Sequence, residues 1–159
     1  MNIKQNSCPA FTTLEVLIII AVIALMAAII VPSFLRIKIT SNEKAAQTTL
    51  RTVAMACERY WEAQRVPSYD PSDSGANMIS ADPPYLDAAI LSLTGKDGYV
   101  FTYVAGGAVN GAVQNYDCGA QPAAANVTGV RWFVINETGV LREDLNRDGI
   151  ADASDVILE

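Results

Sequence analysis

The chain has 159 residues, of which 51% are hydrophobic and 18% are charged, so its composition predicts one ordinary folded domain rather than a disordered chain. It contains no histidine, which excludes histidine-based catalytic triads and imidazole metal sites. The net charge is −6, with six cations against three acids in residues 1–60 and five cations against 14 acids in residues 61–159. This acidic second part argues against a nucleic-acid partner, because nucleic-acid binding needs a basic surface.

The N-terminal part contains a segment that is apolar enough to cross a lipid bilayer. Residues 16–35 are 20 consecutive residues without a charge, and a transmembrane helix needs about 20 such residues. Lys4 precedes this run, and Arg36 and Lys38 follow it, so a count of flanking cations does not decide its orientation. We therefore expect one membrane-spanning helix.

One acidic residue, Glu15, stands at the N-terminal edge of this apolar run. A carboxylate there is costly in lipid unless it is paired, neutralised or held near the headgroups. The residues from Phe11 to Glu15 are Phe-Thr-Thr-Leu-Glu, and Pro32 is the twenty-second residue counted from Phe11. This arrangement resembles the N-terminal segment of the type IV pilin and pseudopilin family, whose subunits assemble into filaments through this helix.

The resemblance implies that residues 1–10 are a leader peptide. A prepilin peptidase would cut between Ala10 and Phe11 and N-methylate the new terminus at Phe11. Ala10 stands where the family usually has glycine, and it keeps the side chain small. Residues 11–35 would then be the membrane anchor and later the filament core, with Glu15 paired to the terminal amine of a neighbouring subunit.

The same resemblance implies partners and a location. The expected partners are prepilin peptidase, an inner-membrane assembly platform, and identical or related pilin subunits in a helical filament. The chain would cross the inner (cytoplasmic) membrane once before assembly and would then belong to an extracytoplasmic filament. The sequence leaves open whether this filament is a pilus or a type II secretion-like pseudopilus. A permanent single-pass anchor, with Glu15 near the headgroups, is the alternative for this segment.

The helical pattern continues beyond the apolar run. Over residues 50–61, apolar residues recur at steps of three and four, with charged residues between them. We predict one helix over 12–65, about 80 Å long at about 1.5 Å per residue, whose apolar first half protrudes from a globular head of residues 36–159. Pro67 would end this helix. Pro32 would bend or loosen it, because proline removes a backbone hydrogen bond.

The rest of the chain predicts an antiparallel sheet. Its predicted elements are a surface loop over 68–84, a short helix over 86–93, a strand over 99–104, a loop or a weak strand around 113–116 within the Ala- and Gly-rich residues 105–129, and a hairpin formed by 130–135 and 140–142. The predicted fold class is therefore α+β. A long N-terminal helix whose second half packs on an antiparallel sheet resembles the pilin fold.

The chain has three cysteines, one of which, Cys8, would leave with the leader. Cys57 and Cys118 would remain in a head that is exported to an oxidising compartment. We therefore expect a disulfide between them, which would stabilise the head by about 4 kcal/mol in the chain-entropy model. The alternative is two unpaired thiols, with Cys57 buried as a small hydrophobic residue.

The segment 144–155 has the spacing of a calcium-binding loop. Oxygen-bearing side chains stand at the first, third, fifth, ninth and twelfth positions, with a backbone carbonyl at the seventh and a glycine at the sixth. The candidate ligands are Asp144, Asn146, Asp148, the Ile150 carbonyl, Asp152 and Asp155. The loop resembles that of dockerins, which use aspartate at the last position, so Asp155 is the expected bidentate ligand.

This loop predicts a structural role for calcium in the head. The ion would neutralise the clustered carboxylates and fix the end of the head against the hairpin of 130–142. Only residues 156–159 follow the loop, so the exit helix would be a stub, and the alternative is a solvated acidic tail. The alternative function is a single-pass, membrane-tethered, calcium-dependent binding module of the dockerin type. The chain carries no nucleophile or phosphate-loop motif, so we do not expect an enzyme.

Overall fold

The computed structural model of the protein describes residues 11–92 and 95–158. The chain divides into two compact units, Met1–Ile37 and Lys38–Glu159. Residues 1–10, which the sequence predicts to be a leader, and with them Ala10, lie outside the described residues.

A single helix, α1 (Thr13–Ala63), spans 51 residues. The helix predicted over 12–65 is therefore confirmed to within two residues at each end. Pro32 lies inside α1, and the helix continues on both sides of it. The helix ends ahead of Pro67, whose ring disfavours helical torsions at the residue before it.

A short helix and seven strands follow. They are α2 (Ala76–Ser80), β1 (Tyr99–Ala105), β2 (Ala108–Val109), β3 (Ala112–Val113), β4 (Tyr116–Pro122), β5 (Phe133–Asn136), β6 (Arg142–Glu143) and β7 (Val156–Ile157). Five strands form an antiparallel sheet in the order β1-β4-β5-β6-β7, and β2 and β3 form a separate two-stranded sheet. The architecture is therefore α+β, with a long N-terminal helix and an antiparallel sheet, as the sequence predicts.

The second half of α1 and one face of the sheet form a common hydrophobic core. On α1 the buried residues recur at helical spacing, from Ala46 through Leu50 and Val53 to Cys57. On the sheet, alternate residues of β1 and β5 belong to this core, and these are Tyr99, Phe101, Tyr103, Phe133 and Ile135. Full burial of one large apolar side chain contributes about 1.5–3 kcal/mol, so this interface is a large source of stability for the head.

A buried carboxylate, Glu43, connects α1 to the loop that precedes β5. Its Oε1 accepts the backbone N–H groups of Val130 and Arg131 at 3.1 and 3.3 Å. Its Oε2 accepts Nη2 and Nε of the Arg131 guanidinium at 2.8 and 3.0 Å. Next to it, the Asn42 amide donates to the Thr128 carbonyl at 2.8 Å. Burial of this carboxylate is tolerated because four N–H groups satisfy it.

A second buried carboxylate, Asp70, organises the loop between α1 and β1. It is 0% exposed, and it accepts the backbone N–H groups of Ser72, Asn77 and Met78 together with the side chains of Ser72 and Asn77. Two of these amides lie in the first turn of α2, where a negative charge is favourable. This network explains why 76–80 is helical, although the sequence predicts a surface loop over 68–84.

Two further predictions differ from the structure. The short helix predicted over 86–93 is not formed in the described residues, because residues 88–91 form a turn in which Asp87 accepts the Ala89 N–H at 2.9 Å. The Ala- and Gly-rich residues 105–129, for which the sequence predicts a loop or a weak strand around 113–116, contain the seven-residue strand β4, which pairs with β1 and β5. Backbone pairing with a strand on each side stabilises β4, and this outweighs the low strand propensity of its small residues.

We expect Glu43→Ala to destabilise the head by about 2 kcal/mol, because it leaves two part-buried backbone N–H groups and the Arg131 guanidinium without their acceptor. Urea unfolding of the detergent-solubilised chain, followed by tryptophan fluorescence, measures this loss. Glu62→Ala is the control, since it removes an exposed acid from the same helix and should change stability by at most about 0.5 kcal/mol. Equal stability of the two variants would contradict the role of Glu43.

Candidate functional site

The first candidate site is the N-terminal part of α1, where all described side chains from 11 to 38 are exposed. This part makes α1 long and apolar enough to cross a membrane, as judged by length and composition. Phe11, the predicted processed terminus, is 71% exposed. Within residues 11–92 and 95–158, α1 is the one helix that meets this criterion.

Glu15 lies in the first turn of α1, and Thr12 caps this helix. The Glu15 N–H points to the Thr12 hydroxyl at 3.2 Å and to the Thr12 carbonyl at 3.1 Å, and the Val16 N–H donates to the same carbonyl at 3.3 Å. Thr-x-x-Glu is the sequence signature of a helix N-terminal capping box, so the pattern from Thr12 to Glu15 could have predicted this start. Glu15 is therefore held one turn from Phe11, at the positive end of the helix dipole.

The second candidate site is the segment 144–155, which connects β6 to β7. Arg142 and Glu143 of β6 pair with Ile157 and Val156 of β7, so an antiparallel pair of strands closes the two ends of the loop. The exit helix expected after the loop is absent from the described residues, and residues 156–157 form a strand instead. The reason is that these residues add to the edge of an existing sheet, which satisfies their backbone groups without a helix.

The two acids at the ends of the loop are both buried. Asp144 is 3% exposed and accepts the backbone N–H groups of Arg147 and Gly149. Asp155 is 7% exposed and accepts the N–H groups of Leu145 at 3.3 Å and Asp152 at 2.9 Å. The first and twelfth loop positions therefore hold the loop backbone in a closed conformation.

Two candidate ligands from the middle of the loop, Asp148 and Asp152, converge on the side-chain amide of a third, Asn146. The Asn146 side-chain nitrogen donates to Asp148 Oδ2 at 3.1 Å and to Asp152 Oδ2 at 3.0 Å. Gly149, at the sixth loop position, has a φ of 77°, a conformation that glycine adopts without strain. The third, fifth and ninth positions are thus brought together around a sharp turn.

The donor set is of the type that calcium prefers, since all six candidate ligands supply oxygen atoms. In the part of the chain that the structure describes, no group of three or more Cys, Asp or Glu side chains stands close enough to hold a metal ion. Instead, the Asn146 amide nitrogen lies between two carboxylates, where its N–H groups offset their repulsion. A rotation of this amide by half a turn would present its oxygen at the same place, so the chemistry of the donor set is compatible with calcium.

The loop lies against the outer face of the sheet, opposite α1. Asp117 on β4 accepts the Ala151 N–H at 3.1 Å. A Cβ added to Gly119 on the same strand would lie 3.2 Å from the Gly149 Cα, so a larger residue there would require the loop to shift by a few tenths of an ångström. Asp117 lies outside the spacing of the calcium motif, and nothing in the sequence indicated its contact with the loop.

The charges around the loop have different environments. The hydroxyl and N–H of Ser154 donate to Asp152 and hold the pKa of this carboxyl below its usual value. Partial burial raises the pKa of Asp117, the nearby Glu137 and Asp148 add to this, and the Ala151 N–H opposes it. Asp117 therefore stands among acids rather than beside a counter-ion.

The two cysteines of the head are free and buried, so the disulfide expected between Cys57 and Cys118 is not formed in the structure. Both side chains belong to the helix–sheet core, where a thiol behaves as a small hydrophobic group. Burial raises the pKa of the Cys57 thiol to about 12 and also raises that of Cys118. Both are therefore protonated and unreactive near neutral pH.

Comparisons with known proteins give no match: no family model, no curated protein and no solved structure matches the chain.

We expect both thiols to resist iodoacetamide in the folded chain at pH 8, because alkylation requires the thiolate and a pKa of about 12 leaves about one thiol in ten thousand ionised. After unfolding in urea without reductant, mass spectrometry should find two adducts. The experiment uses a Cys8→Ser variant, so that only these two thiols are counted. Rapid labelling of the folded chain, or no labelling after unfolding, would contradict two free, buried thiols.

Proposed function

We propose that the chain is a structural subunit of a type IV pilus or a type II secretion-like pseudopilus. The observation that carries this proposal is the first part of α1, which is apolar and exposed on all sides and has one acidic residue, Glu15, in its first turn. Such a surface is stable only in lipid or in contact with other apolar helices. A subunit that moves from a membrane into a filament core has its apolar helix first in lipid and then in contact with other apolar helices.

In this proposal, prepilin peptidase cuts between Ala10 and Phe11 and methylates the new terminal amine. The Glu15 carboxylate of one subunit then pairs with the Phe11 amine of the next subunit in the filament core. An ion pair in such a low-dielectric bundle is strong, and removal of one partner leaves a buried charge at a cost of about 3–5 kcal/mol. The pair therefore selects the axial register of the subunits.

The proposed location follows from the same helix. Before assembly the chain crosses the inner membrane once, with its head outside the cytoplasm. An inner-membrane assembly platform then moves it into a helical filament of identical or related subunits. Pro32, within the apolar part of α1, lacks one backbone N–H and so gives the helix a place to bend or loosen during this transfer.

We propose further that calcium stabilises the head through the loop over 144–155. The ligands would be the side chains of Asp144, Asn146, Asp148, Asp152 and Asp155 and the Ile150 carbonyl. A bound calcium ion supplies positive charge that offsets the clustered carboxylates. The chain's own residues close the loop, through the β6–β7 pair and the backbone hydrogen bonds of Asp144 and Asp155.

The assembly proposal is tested in cells that contain a prepilin peptidase and an assembly platform. We expect the unmutated chain to begin at N-methylated Phe11 and to appear in sheared filaments. Glu15→Ala should still insert and be cut, but it should stay in the membrane fraction, because its filament contact lacks the carboxylate. Intact-mass analysis of both fractions measures the terminus and the distribution together.

Glu62→Ala is the matched control, since it removes an exposed acid from the same helix and should assemble normally. Normal filaments from Glu15→Ala would contradict the role of this carboxylate. An uncut terminus at Met1 in the unmutated chain would contradict the filament proposal and would favour the membrane-tethered, calcium-dependent binding module.

We expect calcium to stabilise the unmutated head by about 2.7 kcal/mol when its concentration is about 100 times the dissociation constant. Asp148→Ala removes a ligand and should abolish this gain, whereas Glu137→Ala, which removes an exposed acid outside the loop, should keep it. Thermal unfolding with calcium or with a chelator measures the difference. Equal melting of the unmutated chain in both conditions would refute the calcium site.

A further inference from the structure

We propose that Asp117, on β4, is a positioning residue of the calcium site, so that the site extends from the loop over 144–155 onto the sheet. This inference rests on the calcium binding proposed above. It adds to the site a residue of the sheet, which lies 27 positions before the loop begins and outside the spacing of the calcium motif.

The peptide group between Ile150 and Ala151 connects the loop to Asp117. The Ile150 carbonyl is the candidate ligand at the seventh loop position, and the Ala151 N–H belongs to the same planar peptide unit. In a trans peptide, the C=O and N–H bonds point in opposite directions. Asp117 Oδ1 accepts this N–H at 3.1 Å, so it fixes the direction of the Ile150 carbonyl, which points away from Asp117.

The hydrogen bond also improves this carbonyl as a ligand. An acceptor on the N–H of a peptide group polarises its carbonyl oxygen, because successive hydrogen bonds strengthen one another. Among the described residues, the Ala151 N–H is the hydrogen-bond partner of the Asp117 carboxylate, and the charges that act on it, Glu137 and Asp148, are acidic. An ion pair therefore does not explain why a half-buried carboxylate stands here.

The close approach at Gly119 supports the same conclusion. Asp117 and Gly119 are alternate residues of β4, so they lie on the same face of the sheet. Gly119 is in near contact with Gly149, and Asp117 holds Ala151, so β4 contacts the loop on both sides of Ile150. Two strands, rather than two helices, flank this loop. Its contacts with β4 therefore hold the loop in place, as flanking helices do in other calcium loops.

The experiment measures metal affinity of the detergent-solubilised full chain by terbium luminescence, followed by competition with calcium. Trp132 lines the same cavity, of about 240 Å³, as Asp148 and Gly149, so it is placed to excite the bound terbium ion. The variants are Asp117→Ala, which removes the acceptor, and Asp117→Asn, whose side-chain oxygen still accepts the Ala151 N–H. Glu137→Ala is the control, because it removes an acid near Asp117 that does not contact the loop.

We expect Asp117→Ala to weaken terbium and calcium binding by about tenfold or more, which is typical when a metal ligand loses its hydrogen-bond partner. The affinity of Asp117→Asn should stay within about threefold of that of the unmutated chain. Glu137→Ala should bind like the unmutated chain. Thermal unfolding should show a larger loss for Asp117→Ala with calcium than with EGTA, because a positioning residue acts mainly when the metal is bound.

Each other outcome overturns the inference. Unchanged affinity of Asp117→Ala, or an equal loss in Asp117→Asn, would refute positioning through the hydrogen bond while the calcium site stands. Equal destabilisation of Asp117→Ala with calcium and with EGTA would assign Asp117 a purely structural role. An unmutated chain that binds neither terbium nor calcium would refute the proposed calcium site itself, and the inference with it.

Discussion

The packing of the second half of α1 on the inner face of the sheet is the interaction on which the rest of the head depends. It buries the helix from Ala46 to Cys57 against aromatic residues of β1 and β5 and leaves both cysteines in a dry core. Glu43 belongs to the same face, and its four hydrogen bonds extend the contact to the loop before β5. The helix therefore determines where the sheet and its loops can lie.

The same helix presents two chemically different surfaces. From residue 43 onward it has one buried face and one charged face, the usual pattern of a helix on a folded head. From residue 13 to 37 it is exposed on all sides and largely apolar, and its charged residues there are Glu15 and Arg36. An apolar surface without a polar face needs a non-aqueous environment, and this requirement, together with the carboxylate in its first turn, supports the proposed filament role.

The loop over 144–155 is joined to the sheet at several places. The β6–β7 pair closes its ends, Asp144 and Asp155 bind its backbone, and β4 supports its middle through Asp117 and Gly119. Its carboxylates lie close together on a chain that is already acidic. A cation bound there would therefore stabilise the outer face of the sheet as well as the loop itself.

The amino-acid sequence by itself determined the elements that local patterns encode. The three- and four-residue period over 50–61 predicted the packed half of α1, and alternation predicted β1, because both patterns follow from the geometry of a single element. The motif spacing predicted a calcium-binding loop over 144–155, which stays a prediction, and the strand pair that closes this loop was not predicted. Only the tertiary structure decided that Ala- and Gly-rich residues form β4, that Asp70 induces α2, and that Asp117 holds the loop. These features depend on partners far away in the chain, and local periodicity carries no information about such contacts.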